Sequence, residues 1–281
     1  MAELSLGFVV VIVTVAFFCE YMDSTLGMGY GTTLSPILLI AGYEPLQVVP
    51  AILISELISG LLAGILHHRE GNVNFKPRSM KISIVAEKIR SIGWIKSIRK
   101  GLPMDLKVAL LLAACSVAGT VVAVFLAINI PKFWVKIYIG VLVFMMGVII
   151  IVCFNKKFKF NWKKIVGLGM LASFNKGISG GGYGPLVTSG QILSGVAGKS
   201  AVGITSLAEG LTCAVGIIAY LYISKNPLDL RLAPFIIMGA ALSVPFSAKS
   251  VKRMDERKLK LAIAVLTIVL GLYTIIRTVQ G

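Results

Sequence analysis

Long apolar stretches dominate this chain of 281 residues and alternate with short basic ones. Six stretches have about the 20 residues that an apolar helix needs to cross a bilayer; they lie at approximately 47–66, 106–128, 133–154, 200–223, 232–248 and 259–276. Two further regions, 4–42 and 165–195, each hold two shorter apolar pieces on either side of a glycine cluster. A piece of about 14 residues rises about 21 Å, which reaches the middle of a bilayer but does not cross it comfortably. The pattern predicts an all-α integral membrane protein.

The second glycine cluster lies in the sequence Asn-Lys-Gly-Ile-Ser-Gly-Gly-Gly-Tyr-Gly-Pro, residues 175–185. Backbone at membrane depth has no water to bond, so a broken helix persists only where it is buried in protein or lines a cavity. Pro185 suits the first turn of a new helix, and the N-terminus of that helix would present free N–H groups and a positive dipole end. With Lys176 nearby, the segment predicts an anion site. The alternative is that these glycines only allow close helix packing.

The chain is a duplication, visible when it is compared with itself at an offset of 153 residues. Residues 27–31, Gly-Met-Gly-Tyr-Gly, then fall on residues 180–184, Gly-Gly-Gly-Tyr-Gly. Gly42 falls on Gly195, and Glu56 falls on Glu209. The two repeats are predicted to comprise residues 1–154 and 155–281.

Basic residues decide which apolar regions cross the membrane. The loops 69–107, 156–164 and 249–260 hold ten, five and six Lys and Arg residues, whereas the other two loops hold two each. Because an excess of Lys and Arg marks cytoplasmic loops, the three rich loops are predicted to be cytoplasmic. The second and third loops are separated by two full spans and by region 165–195. They lie on the same side of the membrane only if region 165–195 returns to the side from which it enters. The same reasoning predicts that region 4–42 also returns. Each repeat is therefore predicted to be a re-entrant helical hairpin plus three transmembrane helices, with the two repeats inverted, as in secondary transporters.

The net charge of +16 is explained by this topology, so a lipid membrane is the expected partner and nucleic acid is not. Within the loop 67–104, isoleucines at helical spacing alternate with lysines and arginines, which predicts a basic amphipathic helix on the cytoplasmic membrane surface. His67 and His68 are adjacent and do not share a helix face, so we expect them at the membrane interface and not in a metal site. With no metal cluster, cofactor motif or paired nucleophile and base in the sequence, we do not expect an enzyme.

Five ionisable residues fall within apolar segments, where a charge costs at least about 2.5 kcal/mol and indicates function by default. They are Glu20, Asp23, Glu56, Lys176 and Glu209. In one interpretation Lys176 binds the anion and the four acidic residues exchange protons, which couples transport to the proton gradient. In another, Asp23 and Lys176 form a structural salt bridge, and Glu56 and Glu209 each cap a segment of their own repeat.

The remaining candidates for anion binding are backbone and hydroxyl donors near the two breaks. Hydroxyl groups donate to oxyanions, but they are also common in contacts between membrane helices. The predicted substrate site comprises, besides Lys176, the residues Gly27, Gly29, Tyr30, Ser179, Gly180, Gly181, Gly182, Tyr183, Thr188, Ser189 and Thr205.

The repeated motif resembles that of the sulfite exporter TauE/SafE family of membrane anion transporters. The resemblance rests on residues 180–186, on Gly195 and on residues 201–206, Ala-Val-Gly-Ile-Thr-Ser, and is reinforced by the weaker first copy, residues 27–55. It implies a multi-pass cell-membrane transporter that exports sulfite, an organosulfonate or a related small anion. The alternatives are an uncoupled anion channel and an importer of another small sulfur-containing or carboxylate anion. Homodimerisation is compatible with such transporters.

Overall fold

The computed structural model describes residues 6–43, 45–77, 101–127, 132–156, 158–179, 183–223 and 231–280. The regular elements traced through these ranges are helices: α1 (Leu6–Leu26), α2 (Tyr30–Ile40), α3 (Pro45–Arg69), α4 (Met104–Ala127), α5 (Lys132–Val152), α6 (Trp162–Ser179), α7 (Tyr183–Leu193), α8 (Gly198–Ile223), α9 (Ala233–Arg253) and α10 (Glu256–Gln280). The basic amphipathic segment predicted in the loop 67–104 falls largely outside the described residues.

Several of these helices are long and apolar enough to cross a membrane. Suitable windows in the described residues are Val9–Leu26, Gln47–Arg69, Gly198–Ile218, Ala233–Arg253 and Glu256–Gln280. Helices α4 and α5, of 24 and 21 residues, lie over the predicted spans 106–128 and 133–154. Large apolar side chains such as Val152 and Phe18 are 74% and 64% exposed, which is typical of a surface that faces lipid. The all-helical membrane class predicted from the apolar pattern is confirmed.

The glycine-rich regions differ in one respect from the expected pairs of short pieces. The second helix of each pair, α2 and α7, has 11 residues. The first helices are longer, with 21 residues in α1 and 18 in α6. The expectation of about 14 residues is wrong for α1, which rises about 30 Å, because Glu20 and Asp23 are buried against other helices and do not interrupt it.

Both ends of each glycine-rich region lie close together. In the first, Ile12 of α1, Leu38 near the end of α2 and Val48 near the start of α3 belong to one buried cluster, together with Ile236 near the start of α9. In the second, a Cβ at Gly195, just after α7, would lie 2.6 Å from the carbonyl oxygen of Phe158 before α6. The short helices α2 and α7 therefore pack back on the long helices that precede them.

The helices α2 and α7 end in the same backbone motif. Gly42 and Gly195 have φ of +93° and +88°, in the left-handed region that glycine adopts without strain. The N–H of the following residue donates to the carbonyl five residues earlier, from Tyr43 to Leu38 and from Val196 to Gln191. This is a Schellman-type helix end, and it occurs at positions that the 153-residue offset pairs.

Close helix crossings depend on small residues. Helix α3 packs on α8, α1 on α9, α4 on α6 and α5 on α10. A Cβ at Gly60 of α3 would lie 2.7 Å from the carbonyl oxygen of Ser206 and 2.9 Å from Cα of Gly210, both in α8. Membrane helices approach this closely where small residues bring their backbones together, and the α3–α8 crossing holds the acidic side chains described below.

Candidate functional site

The first glycine-rich break packs against the start of α7 inside the protein. Gly27 and Gly29, between α1 and α2, have φ of +74° and +125° and are buried. Gly184 in the first turn of α7 faces them, because a Cβ there would lie 2.7 Å from the carbonyl oxygen of Gly27 and 2.9 Å from Cα of Met28. The first break thus packs backbone to backbone against the start of α7.

Thr188 of α7 joins this helix to the first break by a hydrogen bond. Its Oγ1 lies 2.8 Å from the carbonyl oxygen of Gly27 and 3.0 Å from Oγ1 of Thr205 in α8. Because a carbonyl can only accept, Thr188 donates to Gly27 and Thr205 donates to Thr188. Thr205 in turn accepts from Nε2 of Gln191 at 2.8 Å. Both threonines predicted to bind substrate therefore use their protons within the protein.

Replacing Thr188 with valine should destabilise the protein by about 1 to 2 kcal/mol, because the buried carbonyl of Gly27 loses its donor while the side-chain volume is kept. Thermal unfolding in detergent measures this as a lower Tm. Thr188→Ser retains the hydroxyl and should remain closer to the wild type; equal losses in both variants would contradict a role for the hydrogen bond.

Two further predicted site residues hold helices together. Oγ of Ser189 lies 3.0 Å from Oγ1 of Thr267 in α10, and Thr267 donates to the carbonyl of Ile263. The hydroxyl of Tyr30 lies 2.6 Å from Oγ of Ser55 in α3. Both tie a short helix to its neighbour, which is the structural role that hydroxyl groups commonly have between membrane helices.

The four predicted coupling residues surround one small cavity. Glu20 and Asp23 of α1, Glu56 of α3 and Glu209 of α8 line a cavity of about 10 Å³, room for about one water molecule. The first three are 2%, 9% and 6% exposed. The rest of the lining is Ser59, Gly60 and Ser206, of which sequence analysis did not identify Ser59 and Gly60. Repeat-related Glu56 and Glu209 thus share a cavity with two acidic residues that only the first repeat carries.

Two of these carboxylates also lie close to the first break. Oδ1 of Asp23 accepts from the backbone N–H of Tyr30 at 3.3 Å, so a carboxylate caps the N-terminus of α2, where the helix dipole favours negative charge. Oε2 of Glu56 accepts from Sγ of Cys213 at 3.1 Å. A Cβ at Gly31 would lie 3.1 Å from Oε1 of Glu56, so glycine lets this carboxylate approach the first turn of α2.

A buried histidine fixes the end of α1. Nε2 of His67 donates to the carbonyl of Ser24 at 2.9 Å, and Nδ1 accepts from Nδ2 of Asn72 at 3.1 Å; this pattern requires the Nε2-protonated neutral ring. Asn72 also donates to the carbonyl of Ala248 in α9. His67 is completely buried, which corrects its expected interfacial position. Its spacing of 11 residues from Glu56 puts both on one face of α3, a signal that could have identified it.

The other predicted residues lie at or beyond the limit of what the structure describes. Lys176 and Ser179 are in the last turns of α6, and their side chains lie outside the described part. Gly180, Gly181 and Gly182 also lie outside the described residues. Tyr183 begins α7 and is 1% exposed. Among the described side chains, no group of three or more His, Cys, Asp or Glu residues is arranged to hold a metal ion.

Comparison with known proteins gives two matches. The family model described as sulfite exporter TauE/SafE matches residues 78–274, a range that includes the second glycine motif and omits the first. The probable membrane transporter protein YtnM of Bacillus subtilis (strain 168) is 24% identical over 280 residues, covering 95% of this chain and 82% of the relative. No solved structure matches significantly.

Proposed function

Because the chain belongs to the sulfite exporter TauE/SafE family, we propose that this multi-pass membrane protein is a secondary transporter that exports a small oxyanion, such as sulfite or an organosulfonate, by alternating access. The observation that carries the proposal is the contact of Gly184 with Gly27 and Met28, which packs the first break against the start of the helix that follows the second glycine motif. Transporters commonly build substrate sites where broken helices from two repeats meet. Irregular backbone at membrane depth is tolerated where it lines such a site.

The architecture that we propose has a re-entrant hairpin at the start of each repeat. The return of the chain after α2 to the cluster of Ile12 and Val48 supports the first hairpin. The contact of Gly195 with residues 158–160 supports the second. The long first helix of each pair carries the break well beyond the bilayer centre, and the short second helix returns.

The helix packing supports an inverted repeat. The 153-residue offset pairs α1 with α6, and the chain order then pairs α3 with α8 and α4 with α9. Under this pairing, the contact of α1 with α9 corresponds to the contact of α6 with α4. The contact of α3 with α9 likewise corresponds to the contact of α8 with α4. The matching Schellman-type helix ends at Gly42 and Gly195 agree with the same pairing of the two repeats. Two structurally related halves that contact each other through α3 and α8 suit a rocking motion around a central site.

The two breaks differ in charge, and we assign the anion to the second. In the first repeat Asp23 caps the N-terminus of α2, so the positive end of that helix already has a carboxylate. In the second repeat, Lys176 and three glycines precede α7 in the sequence. A lysine and a helix N-terminus both attract an oxyanion. The anion therefore binds near Lys176 and the N-terminus of α7.

We assign the coupling of anion transport to proton movement to the carboxyl groups around the acidic cavity. A cavity of about 10 Å³ is too small for a polyatomic anion, and the carboxylates around it repel one. We assign proton exchange to these four carboxyl groups because they line one cavity and can act together. Glu56 and Glu209 come from α3 and α8, one helix from each half, so their protonation can be linked to the motion of one half against the other.

The proposal is tested by counterflow of sulfite and organosulfonates in proteoliposomes, with Lys176→Ala compared with the wild type at two external pH values. We expect saturable exchange in the wild type and at least about a tenfold loss in the variant, since a charge-assisted contact contributes about 1.5 to 3 kcal/mol. The matched control is Lys163→Ala, an exposed lysine at the start of the same helix, which should exchange normally.

Each failure in this experiment has a different meaning. A wild type that exchanges none of these anions would contradict the substrate class. Normal exchange by Lys176→Ala would show that the anion binds at a site other than Lys176. Flux without counterflow would identify a channel, because a channel has no carrier step that exchanges one anion for another.

A further inference from the structure

A second cavity, separate from the two breaks, lies between α1 and α9 near the end of α9. It has a volume of about 350 Å³. One part of its lining is aromatic, from Phe17, Phe18 and Phe246, and another part is cationic, from Lys249 and Arg253. The transport site described above uses none of these residues. We propose that this groove binds an anionic phospholipid of the cytoplasmic leaflet, with the acyl chains on the phenylalanines and the phosphate at the two cations.

The order of side chains along α9 matches the order of groups in a phospholipid. Phe246, Lys249 and Arg253 are spaced by three and four residues, so they lie on one face of the helix. Along that face an apolar ring is followed by two positive charges over about two turns. A lipid in the adjoining leaflet presents its acyl chain and then its phosphate in the same sequence.

The apolar part of the groove is open and built from rings. The ring centroids of Phe17 and Phe246 lie 6.0 Å apart across the two helices, and those of Phe17 and Phe18 lie 5.5 Å apart. Phe18 and Phe246 are 64% and 59% exposed, so both rings lie on the surface that faces lipid. An acyl chain would cover both rings.

The cationic part faces the membrane surface expected to be anionic. The loop 249–260 holds six Lys and Arg residues and is cytoplasmic by the distribution of positive charge, and the cytoplasmic leaflet carries the anionic lipids. Lys252 is paired with Glu70 at 2.9 Å, whereas Lys249 and Arg253 are exposed along the groove. The hydroxyls of Tyr21 and Ser250 are hydrogen-bonded to each other at 2.8 Å, which leaves one O–H of the pair as an additional donor for a phosphate oxygen.

The test is a titration of the purified full chain in detergent with phosphatidylglycerol, with thermal unfolding as the readout. Phosphatidylglycerol should raise the Tm of the wild type. The double variant Lys249→Gln/Arg253→Gln should need about 25-fold more lipid for the same shift, since each basic residue at an anionic surface contributes about fivefold. The matched control is Arg257→Gln/Lys258→Gln, which removes two exposed charges from the same loop outside the groove and should respond like the wild type.

Two further arms identify the ligand. Phosphatidylcholine should stabilise the protein much less, and inorganic phosphate alone should not reproduce the effect, because the groove also requires the acyl chain. Equal responses in the two double variants, or an equal effect of phosphatidylcholine or of free phosphate, would overturn the proposal. In a Phe246→Trp variant, brominated phosphatidylglycerol should quench the added fluorescence more than brominated phosphatidylcholine, and equal quenching would also overturn it.

Discussion

Replacing Gly184 with alanine should lower anion exchange in proteoliposomes by at least about tenfold, because the new methyl group would force the first break away from the start of α7. The added Cβ would lie 2.7 Å from the carbonyl oxygen of Gly27 and 2.9 Å from Cα of Met28. Both neighbours are backbone atoms, so no flexible side chain can move away to make room. Overpacking of this kind costs about 1 to 3 kcal/mol, and a displacement of about 1 Å at a site can reduce its activity about a hundredfold.

The control for Gly184→Ala is Gly167→Ala in α6. A Cβ at position 167 would have no neighbour within 4 Å, and alanine favours a helix over glycine by about 1 kcal/mol. This variant should therefore exchange normally and unfold at the same temperature or higher. Thermal unfolding of both variants separates a misplaced site from general unfolding. Normal exchange by a folded Gly184→Ala would show that the contact between the first break and the start of α7 is not needed for transport.

The sequence was sufficient to find the elements that depend on local pattern. The apolar periodicity gave the helical membrane class, and the repeated glycine motif gave the family; both are confirmed. The length of α1 was not predictable in the same way. The first apolar run ends before Glu20, yet helix α1 continues through Glu20 and Asp23. Burial of a polar side chain against α3 and α8 is a tertiary effect that no local window contains.

The sequence alone also does not predict which side chains meet in the folded protein. The 153-residue offset pairs Glu56 with Glu209, but their meeting around one cavity with Glu20 and Asp23 depends on how α1, α3 and α8 pack. The hydroxyl groups of Thr188 and Ser189 were predicted to bind the anion, and both hold helices. Helix α7 is buried on nearly all sides, so its polar atoms need partners within the protein before any ligand arrives.

Replacing Glu56 or Glu209 with glutamine should abolish the response of anion transport to an imposed pH gradient while counterflow continues. Glutamine resembles a permanently protonated carboxyl and keeps the shape of the side chain. The ionisable groups that face Glu56 are Glu20, Asp23, Glu209 and Cys213. If each cycle moves one proton, a gradient of one pH unit should drive about a tenfold change in the anion ratio across the membrane of wild-type liposomes. Either variant should show no such change.

The matched control is Glu70→Gln, which makes the same chemical change at a glutamate outside the cavity. The ammonium of Lys252, 2.9 Å from Oε2 of Glu70, lowers the pKa of that carboxyl by hydrogen bonding and by its charge, so Glu70 stays ionised at neutral pH. Its variant should keep the full response to the gradient. If anion transport still responds to the pH gradient in both cavity variants, these carboxyl groups do not couple transport to protons. Loss of both counterflow and response would instead give Glu56 and Glu209 a structural role at the crossing of α3 and α8. Only loss of the response with counterflow intact separates proton coupling from support of the fold, because a proton site acts on the driving force and not on the exchange of one anion for another.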